Sequence, residues 1–150
     1  PRKLEMAREF GATDVINAAE TDPVAAIMEL TGGLGVEYAI EAIGRPDSIR
    51  QSFESLCKGG TAVAVGIAAK EQLISIPPQN LVYGERRLVG SFYGSTRPRA
   101  DFSRFVDLYL AGRLKLDQLV TREWRLDEIN EAFAAMNAGE VARGIINQFA

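Results

Sequence analysis

The side chains that most often do chemistry in enzymes are scarce in this chain of 150 residues. It has no histidine and a single cysteine, Cys57. Histidine is the commonest general base, and with cysteine it forms most zinc sites, so no zinc site of that type can be assembled within this sequence. One cysteine allows no intrachain disulfide, which favours a cytoplasmic protein.

Three short apolar segments that each run into a glycine are the residues best suited to binding. They are Val36–Glu41 followed by Gly44, Thr61–Val65 followed by Gly66, and Leu88–Tyr93 followed by Gly94. Runs of this length and character predict buried strands, and glycine allows a sharp turn and the close approach of a ligand. Because α/β folds bind ligands at the carboxyl ends of parallel strands, the sequence predicts a binding edge at these glycines.

The segments between them supply the elements that hold this edge. Apolar periodicity predicts helices near residues 4–10, 24–30 and 46–57. Two further strands are expected at Asp14–Asn17 and at Ile74–Ile76, the latter an edge strand that two prolines interrupt.

A polar linker at residues 95–99 precedes a different pattern. This pattern is αβαβ: an apolar helix from Phe102, a strand at Leu119–Trp124, a helix opened by Asp127 and a strand from Arg143. The element order predicts the α/β class, with an incomplete doubly wound (Rossmann-like) parallel sheet in residues 1–96 and a second unit in residues 97–150.

The glycine cluster at Thr31–Gly35 is interpreted as a plain turn. A phosphate-binding glycine loop follows a strand and opens a helix, whereas this cluster follows a predicted helix and precedes a strand.

Composition excludes several classes of partner. The chain is 47% hydrophobic and 25% charged with a net charge of −3, so no basic field for nucleic acid is expected. No apolar run approaches about 20 residues, so no membrane span is expected either. The chain opens with Pro-Arg-Lys and helical periodicity starts at once, which indicates the carboxyl-terminal part of a longer polypeptide.

Several segments together resemble a known family. They are Ala7–Asp14, Glu41–Arg45, Lys58–Gly60, Val65–Ile67, Gly90–Gly94, Ile129–Phe133 and Gly139–Arg143. In this order the chain resembles the carboxyl-terminal portion of the zinc-dependent alcohol dehydrogenases of the medium-chain dehydrogenase/reductase family. The class III-like and aryl/benzyl alcohol dehydrogenase branches are the most similar. The resemblance implies an oxidoreductase that transfers a hydride between an alcohol/aldehyde pair and a nicotinamide cofactor, NAD or alternatively NADP.

The resemblance assigns one group of residues to the adenosine side of that cofactor. Lys3 would lie near the ribose, Ile43 and Arg45 would flank the adenine, and Gly44 would allow close approach. Arg143 would reach the pyrophosphate. By residue type alone, a solvent-exposed charge without a binding role is the favoured interpretation of both Lys3 and Arg143.

A second group is assigned to the nicotinamide side. Val65 and Ile67 would pack on the ring, and the backbone of Val65, Ser91 and Tyr93 would hold the carboxamide. The full predicted cofactor set is Lys3, Ala42, Ile43, Gly44, Arg45, Val65, Gly66, Ile67, Ser91, Phe92, Tyr93 and Arg143. Glu41 could touch a ribose or a neighbouring turn, but a structural hydrogen bond is favoured.

The resemblance also implies what this chain does not carry. In the family sheet order 3-2-1-4-5-6, residues 1–96 would hold strands 3 to 6 of the dinucleotide-binding domain, and residues 97–150 would belong to the catalytic domain. The glycine loop, zinc ligands and proton relay would precede residue 1, so no catalytic or metal-binding residue is predicted here and the isolated chain should be inactive. Asp14–Asn17 would lack its native neighbours and must pair with Val36–Glu41, stay unpaired or misassociate.

Two alternatives remain open at this point. One is a zinc-free quinone or enoyl reductase of the same superfamily, and the other is a non-catalytic nucleotide-binding fragment. The expected partners are the cofactor, a small alcohol or aldehyde, and further copies of the chain through the last core strand, without nucleic acid or membrane.

Overall fold

The computed structural model describes residues 2–149. The chain divides after Thr96 into two compact units. Each unit combines helices with a parallel sheet, which confirms the predicted α/β class. Among the residues described, no helix combines the length and the apolar character that crossing a membrane requires.

Within residues 2–96, the first unit contains four helices and one three-stranded sheet. In chain order its elements are α1 (Arg2–Glu9), α2 (Pro23–Leu30), β1 (Val36–Glu41), α3 (Pro46–Glu54), β2 (Leu56–Ala64), α4 (Pro78–Gly84), β3 (Arg87–Gly90) and a 3₁₀ turn (Phe92–Ser95). Helices α2, α3 and α4 each begin at a proline, whose fixed φ suits the first helical turn. All strand pairings are parallel, in the order β1-β2-β3.

The core of this unit lies between helix α3 and one face of the sheet. Phe53 of α3 and Leu56 and Ala62 of β2 are fully buried and pack together. On the other face of the sheet, Tyr38 and Ile40 of β1 are largely exposed. Burial on one face is enough to fix the strand register, because a shift by one residue would turn the buried side chains outward.

Two predicted strands are not formed. Within residues 2–149, Asp14–Asn17 and Ile74–Ile76 have no strand partners. The sheet in the described residues therefore has three strands, and neither of the two further predicted strands joins it; Asp14–Asn17 takes the unpaired alternative. Ile76 instead packs against the α3 core, and the following prolines lead into α4.

Two element boundaries also differ from prediction. Helix α3 ends at Glu54, and Leu56 and Cys57 begin β2 instead of extending the helix. Leu56 pairs with Val36 in the sheet, and burial there outweighs its helical spacing. Strand β3 ends at Gly90 instead of continuing to Tyr93.

The second unit is a smaller α/β arrangement. Its elements are α5 (Pro98–Leu110), a 3₁₀ turn (Asp117–Leu119), β4 (Val120–Arg125), a 3₁₀ turn (Leu126–Glu128), α6 (Ile129–Asn137) and β5 (Arg143–Gln148). Strands β4 and β5 pair in parallel. Trp124 of β4 is 3% exposed, and a Cβ on Gly144 of β5 would overlap its ring, so the glycine makes room for the indole.

Candidate binding site at the carboxyl edge of the sheet

The three strands of the first unit end at the same level. Glu41 is in register with Ala64, and Ala64 with Gly90. Backbone hydrogen bonds continue this alignment past the strand ends, from Val65 N–H to the Glu41 carbonyl (2.8 Å) and from Ser91 N–H to the Ala64 carbonyl (2.9 Å). The segments that follow the strands, residues 42–45, 65–67 and 91–93, are therefore neighbours. We call them the carboxyl edge.

Two glycines let the first two segments of the carboxyl edge cross. A Cβ on Gly44 would lie 2.5 Å from the Ile67 carbonyl oxygen, and one on Gly66 would overlap the Gly44 nitrogen and lie 2.6 Å from the Ile43 carbonyl carbon. Gly44 also has a φ of +83°, in the left-handed region that favours glycine. The immediate reason for both glycines is thus contact between two protein loops, and close approach of a ligand at Gly44 stays a prediction.

Large apolar side chains of the carboxyl edge point into solvent. Ile43 is 72% exposed, Ile67 79%, Phe92 82% and Tyr93 63%. Large apolar side chains are exposed elsewhere too, among them Leu34, Leu73 and Leu110, so what distinguishes this group is its place at the aligned strand ends.

A buried carboxylate holds the first turn of the carboxyl edge. Glu41 is 4% exposed, and its Oε1 accepts hydrogen bonds from the Ile43 and Gly44 N–H groups, both 2.8 Å, and from Ser48 Oγ at 2.7 Å. Burial raises the pKa of this carboxyl, but the hydrogen bonds from Ser48 and from the main chain of Gly44, Ile43 and Arg45 outweigh it and lower the pKa below its ordinary value. The predicted structural hydrogen bond of Glu41 is confirmed, and the structure shows that the turn supplies two of its donors.

The third segment of the carboxyl edge is strained. Tyr93, Gly94 and Ser95 have φ values of 54°, 65° and 55°. The left-handed conformation costs about 1–2 kcal/mol for each non-glycine residue. A contact of 3.0 Å between Ser91 Oγ and Ser95 Oγ closes this turn. Apart from Gly94, the sequence carries no signal for it, and this feature was missed.

Two predicted site residues lie elsewhere in the chain. Lys3 is an exposed residue of α1, and α1 borders residues 15–21 and α2 across a cavity. Arg143 is the exposed first residue of β5, in the second unit. The other predicted residues, Ala42, Ile43, Gly44, Arg45, Val65, Gly66, Ile67, Ser91, Phe92 and Tyr93, all belong to the carboxyl edge.

No metal-binding cluster of acidic and cysteine side chains is found in residues 2–149. No three of these side chains lie close enough together there to hold a metal ion. The carboxyl edge therefore offers main-chain groups, an arginine and apolar side chains, which suit an organic ligand with flat rings.

The first unit is thus an α/β fold with a parallel sheet, a class of protein that binds its ligands at the carboxyl ends of the strands. Residues 1–111 match the family described as zinc-binding dehydrogenase, and the chain belongs to that family. The predicted resemblance is confirmed.

Individual relatives show how much of such proteins this chain represents. It is 39% identical to alcohol dehydrogenase class-3 of Drosophila melanogaster, and the match covers 97% of this chain and 39% of that protein. The crystal structure of benzyl alcohol dehydrogenase from Acinetobacter calcoaceticus matches with a TM-score of 0.90 and 34% identity, over 99% of this chain and 40% of that one. A zinc-binding dehydrogenase structure from Sinorhizobium meliloti 1021, bound to NADP, has a TM-score of 0.78 and 29% identity, over 89% and 38%.

Proposed function

We propose that this chain is part of an alcohol dehydrogenase and supplies the nicotinamide and adenine side of its cofactor cleft. The intact protein would transfer a hydride between an alcohol/aldehyde pair and a nicotinamide cofactor. The observation that carries the proposal is the alignment of three parallel strand ends, whose following segments cross at Gly44 and Gly66 and expose large apolar side chains.

The carboxyl edge suits the two rings of such a cofactor. Ile43, with Ala42, Gly44 and Arg45, would border the adenine, because an aliphatic side chain and a guanidinium both pack well on an aromatic face. Val65, Gly66 and Ile67, with Phe92, would border the nicotinamide. Main-chain groups of Val65, Ser91 and Tyr93 would fix the ring orientation by hydrogen bonds to its carboxamide. This assignment is supported by the exposure of Ile43 and Ile67 on adjacent, crossing loops.

Two exposed basic residues are also proposed to bind the cofactor, on the strength of the resemblance. Arg143 would pair with the pyrophosphate, since a guanidinium matches phosphate oxygens with two parallel hydrogen bonds. Lys3 would approach the adenosine ribose. Both are exposed and available for such contacts. Under this proposal residues 1–96 form half of the dinucleotide-binding domain and residues 97–150 belong to the catalytic domain.

The chemistry itself would be divided between this chain and the rest of the polypeptide. When bound, a nicotinamide ring accepts or gives the hydride. The residues described here would hold that ring at a fixed angle, so that its reacting carbon lies next to the substrate carbon. They would also shield one face of the ring from water. Zinc ligands and the proton relay would lie in the remainder of the protein. The cofactor would be NAD, with NADP as the alternative.

The proposal extends to the cellular location and the oligomeric state of the intact protein. We expect a cytoplasmic homo-oligomer that associates through β3, which is the last strand of the sheet and carries a partly exposed Val89. Size-exclusion chromatography with light scattering of the complete polypeptide would test this association.

Turnover assays test the proposed function. The complete polypeptide, incubated with aliphatic and aromatic alcohols and with NAD or NADP, should reduce the cofactor, and chelation of zinc should stop it. The 150-residue chain should show no turnover with the same reagents. If the complete polypeptide reduced quinones or enoyl substrates with NADPH but oxidised no alcohol, the zinc-free reductase alternative would replace the proposal. Turnover by the short chain alone would show that the proposed division of the site is wrong.

A further inference from the structure

Glu41 is the residue through which the sheet holds the first two segments of the carboxyl edge. Its side chain binds the turn after β1 through the Ile43 and Gly44 N–H groups. Its main-chain carbonyl accepts from Val65 N–H at 2.8 Å and from Gly66 N–H at 3.1 Å. One residue therefore fixes both of the loops that cross at Gly44 and Gly66.

The side chain of Glu41 also fixes the start of the next helix. Ser48, in the first turn of α3, donates its hydroxyl to the same Oε1 that receives the two N–H groups. Helix α3 is itself anchored by the fully buried Phe53. The turn at residues 42–45 is thus held between a packed helix and a buried strand end, with the carboxylate as the common acceptor.

This arrangement has one unfavourable feature. The second oxygen of Glu41, Oε2, is buried and has no hydrogen-bond partner in the part of the chain that the structure describes. Leaving a buried charged atom unpaired is unfavourable. A charged acceptor does, however, make stronger and shorter bonds to the turn than a neutral one.

We infer that Glu41 is a positioning residue, which sets the turn at residues 42–45 in the conformation that receives the adenine end of the cofactor. The inference rests on the proposed function and deepens it. Glu41 does not touch the cofactor in this account, because Oε1 is occupied by its three donors and Oε2 is buried. It acts by holding Ile43 and Gly44, and hence the exposed Ile43 and Arg45 side chains, in place.

The test uses the complete polypeptide and three variants. Glu41→Gln keeps the size of the side chain and removes its charge, and Ser48→Ala removes one of the three donors if the first variant folds poorly. Glu37→Gln is the matched control, because Glu37 is an exposed residue of the same strand. Circular dichroism of each variant establishes that the fold is retained.

Kinetics and binding are then compared. Glu41→Gln should raise the KM for the nicotinamide cofactor about tenfold and Ser48→Ala about threefold, with kcat and the KM for alcohol unchanged. Calorimetry with adenosine monophosphate should show the same weakening, since the side chain of Glu41 holds the adenine side. Glu37→Gln should match the wild type in every measurement.

Different outcomes separate the inference from the proposed function. A fall in kcat with unchanged KM values, or adenosine monophosphate binding as tight in Glu41→Gln as in Glu37→Gln, would overturn the role of Glu41 and leave the proposed function standing. Wild-type polypeptide that binds adenosine monophosphate but turns over no alcohol would overturn the proposed function, and the calorimetry would still decide the role of Glu41. Failure of the wild type to bind adenosine monophosphate or cofactor would overturn both.

Discussion

Alanine at Gly44 or Gly66 should force apart the two loops that cross at the carboxyl edge. At Gly44 two penalties add. Its φ of +83° is left-handed, which costs about 1–2 kcal/mol for alanine. The new Cβ would also meet the Ile67 backbone at 2.5 Å, and overpacking of this kind costs about 1–3 kcal/mol. At Gly66 only the second penalty applies, because its φ is not positive.

Two other glycines serve as matched controls. Gly59 has a φ of +77°, close to that of Gly44, and a Cβ there would have nothing within 4 Å. Gly90 lies in β3 without a positive φ and has equally open surroundings. The difference in unfolding free energy between Gly44→Ala and Gly59→Ala, and that between Gly66→Ala and Gly90→Ala, should each be about 1–3 kcal/mol.

Urea unfolding followed by circular dichroism measures these differences from the midpoints and slopes. The double variant of Gly44 and Gly66 should lose less stability than the two single losses added, because both substitutions displace the same crossing. If alanine lowered the unfolding free energy equally at Gly44 and Gly59, and equally at Gly66 and Gly90, the tight crossing would be refuted. The shape of the proposed site would be refuted with it.

Three further predictions follow from individual contacts. Asp22→Ala should destabilise the chain by about 1 kcal/mol in urea unfolding, because Asp22 caps α2 by accepting from Ala25 N–H at 2.8 Å; no loss would contradict the cap. Glu85→Gly should stabilise it by about 0.5–1 kcal/mol, since Glu85 is left-handed (φ 49°) at the end of α4; a lower melting temperature would contradict this. For Glu41, burial raises the carboxyl pKa but its hydrogen bonds lower it overall, so its ionised form stabilises the fold fully above the ordinary pKa of 4.5 and this contribution is lost as pH falls through the lowered value. The difference in unfolding free energy between the wild type and Glu41→Gln should therefore become smaller as the pH falls through the lowered pKa of Glu41. A difference that stays constant down to the pH of acid unfolding would show that the charge of Glu41 is unimportant.

The strand ends were predictable from the sequence because local signals and global topology agree there. Val36–Glu41 and Thr61–Val65 are apolar, short and followed by glycine, and parallel pairing places such ends on one edge whatever the details of the connections. The residues of the carboxyl edge follow directly from this rule. Their contacts with a cofactor were inferred from resemblance and stay predictions.

Features that depend on distant contacts were not predictable. The helix predicted near residues 46–57 gives way to β2 at Leu56, and within β2 the pairing steps from Val36–Leu56 to Tyr38–Thr61 across an irregularity. Which acid would be buried was also beyond a pattern argument. Glu37 and Glu41 are both strand acids, and Glu41 differs in the hydrogen bonds that it accepts from the following turn and from Ser48.

The unpaired Asp14–Asn17 segment shows the limit of local propensity. Its apolar, β-branched centre predicts a strand, but a strand forms only where a partner offers its backbone groups. Within residues 2–149 no such partner lies beside it. The sequence pattern therefore describes a preference that the surrounding chain does not satisfy.

Amide chemical shifts of the labelled chain, titrated with NAD and separately with NADP, test the central claim most directly. The account predicts saturable shifts at residues 42–45, 65–67 and 91–93, and small or no shifts in residues 15–21 and α2. Saturable shifts confined to residues away from the carboxyl edge, or no shift at millimolar concentrations of either cofactor, would contradict it.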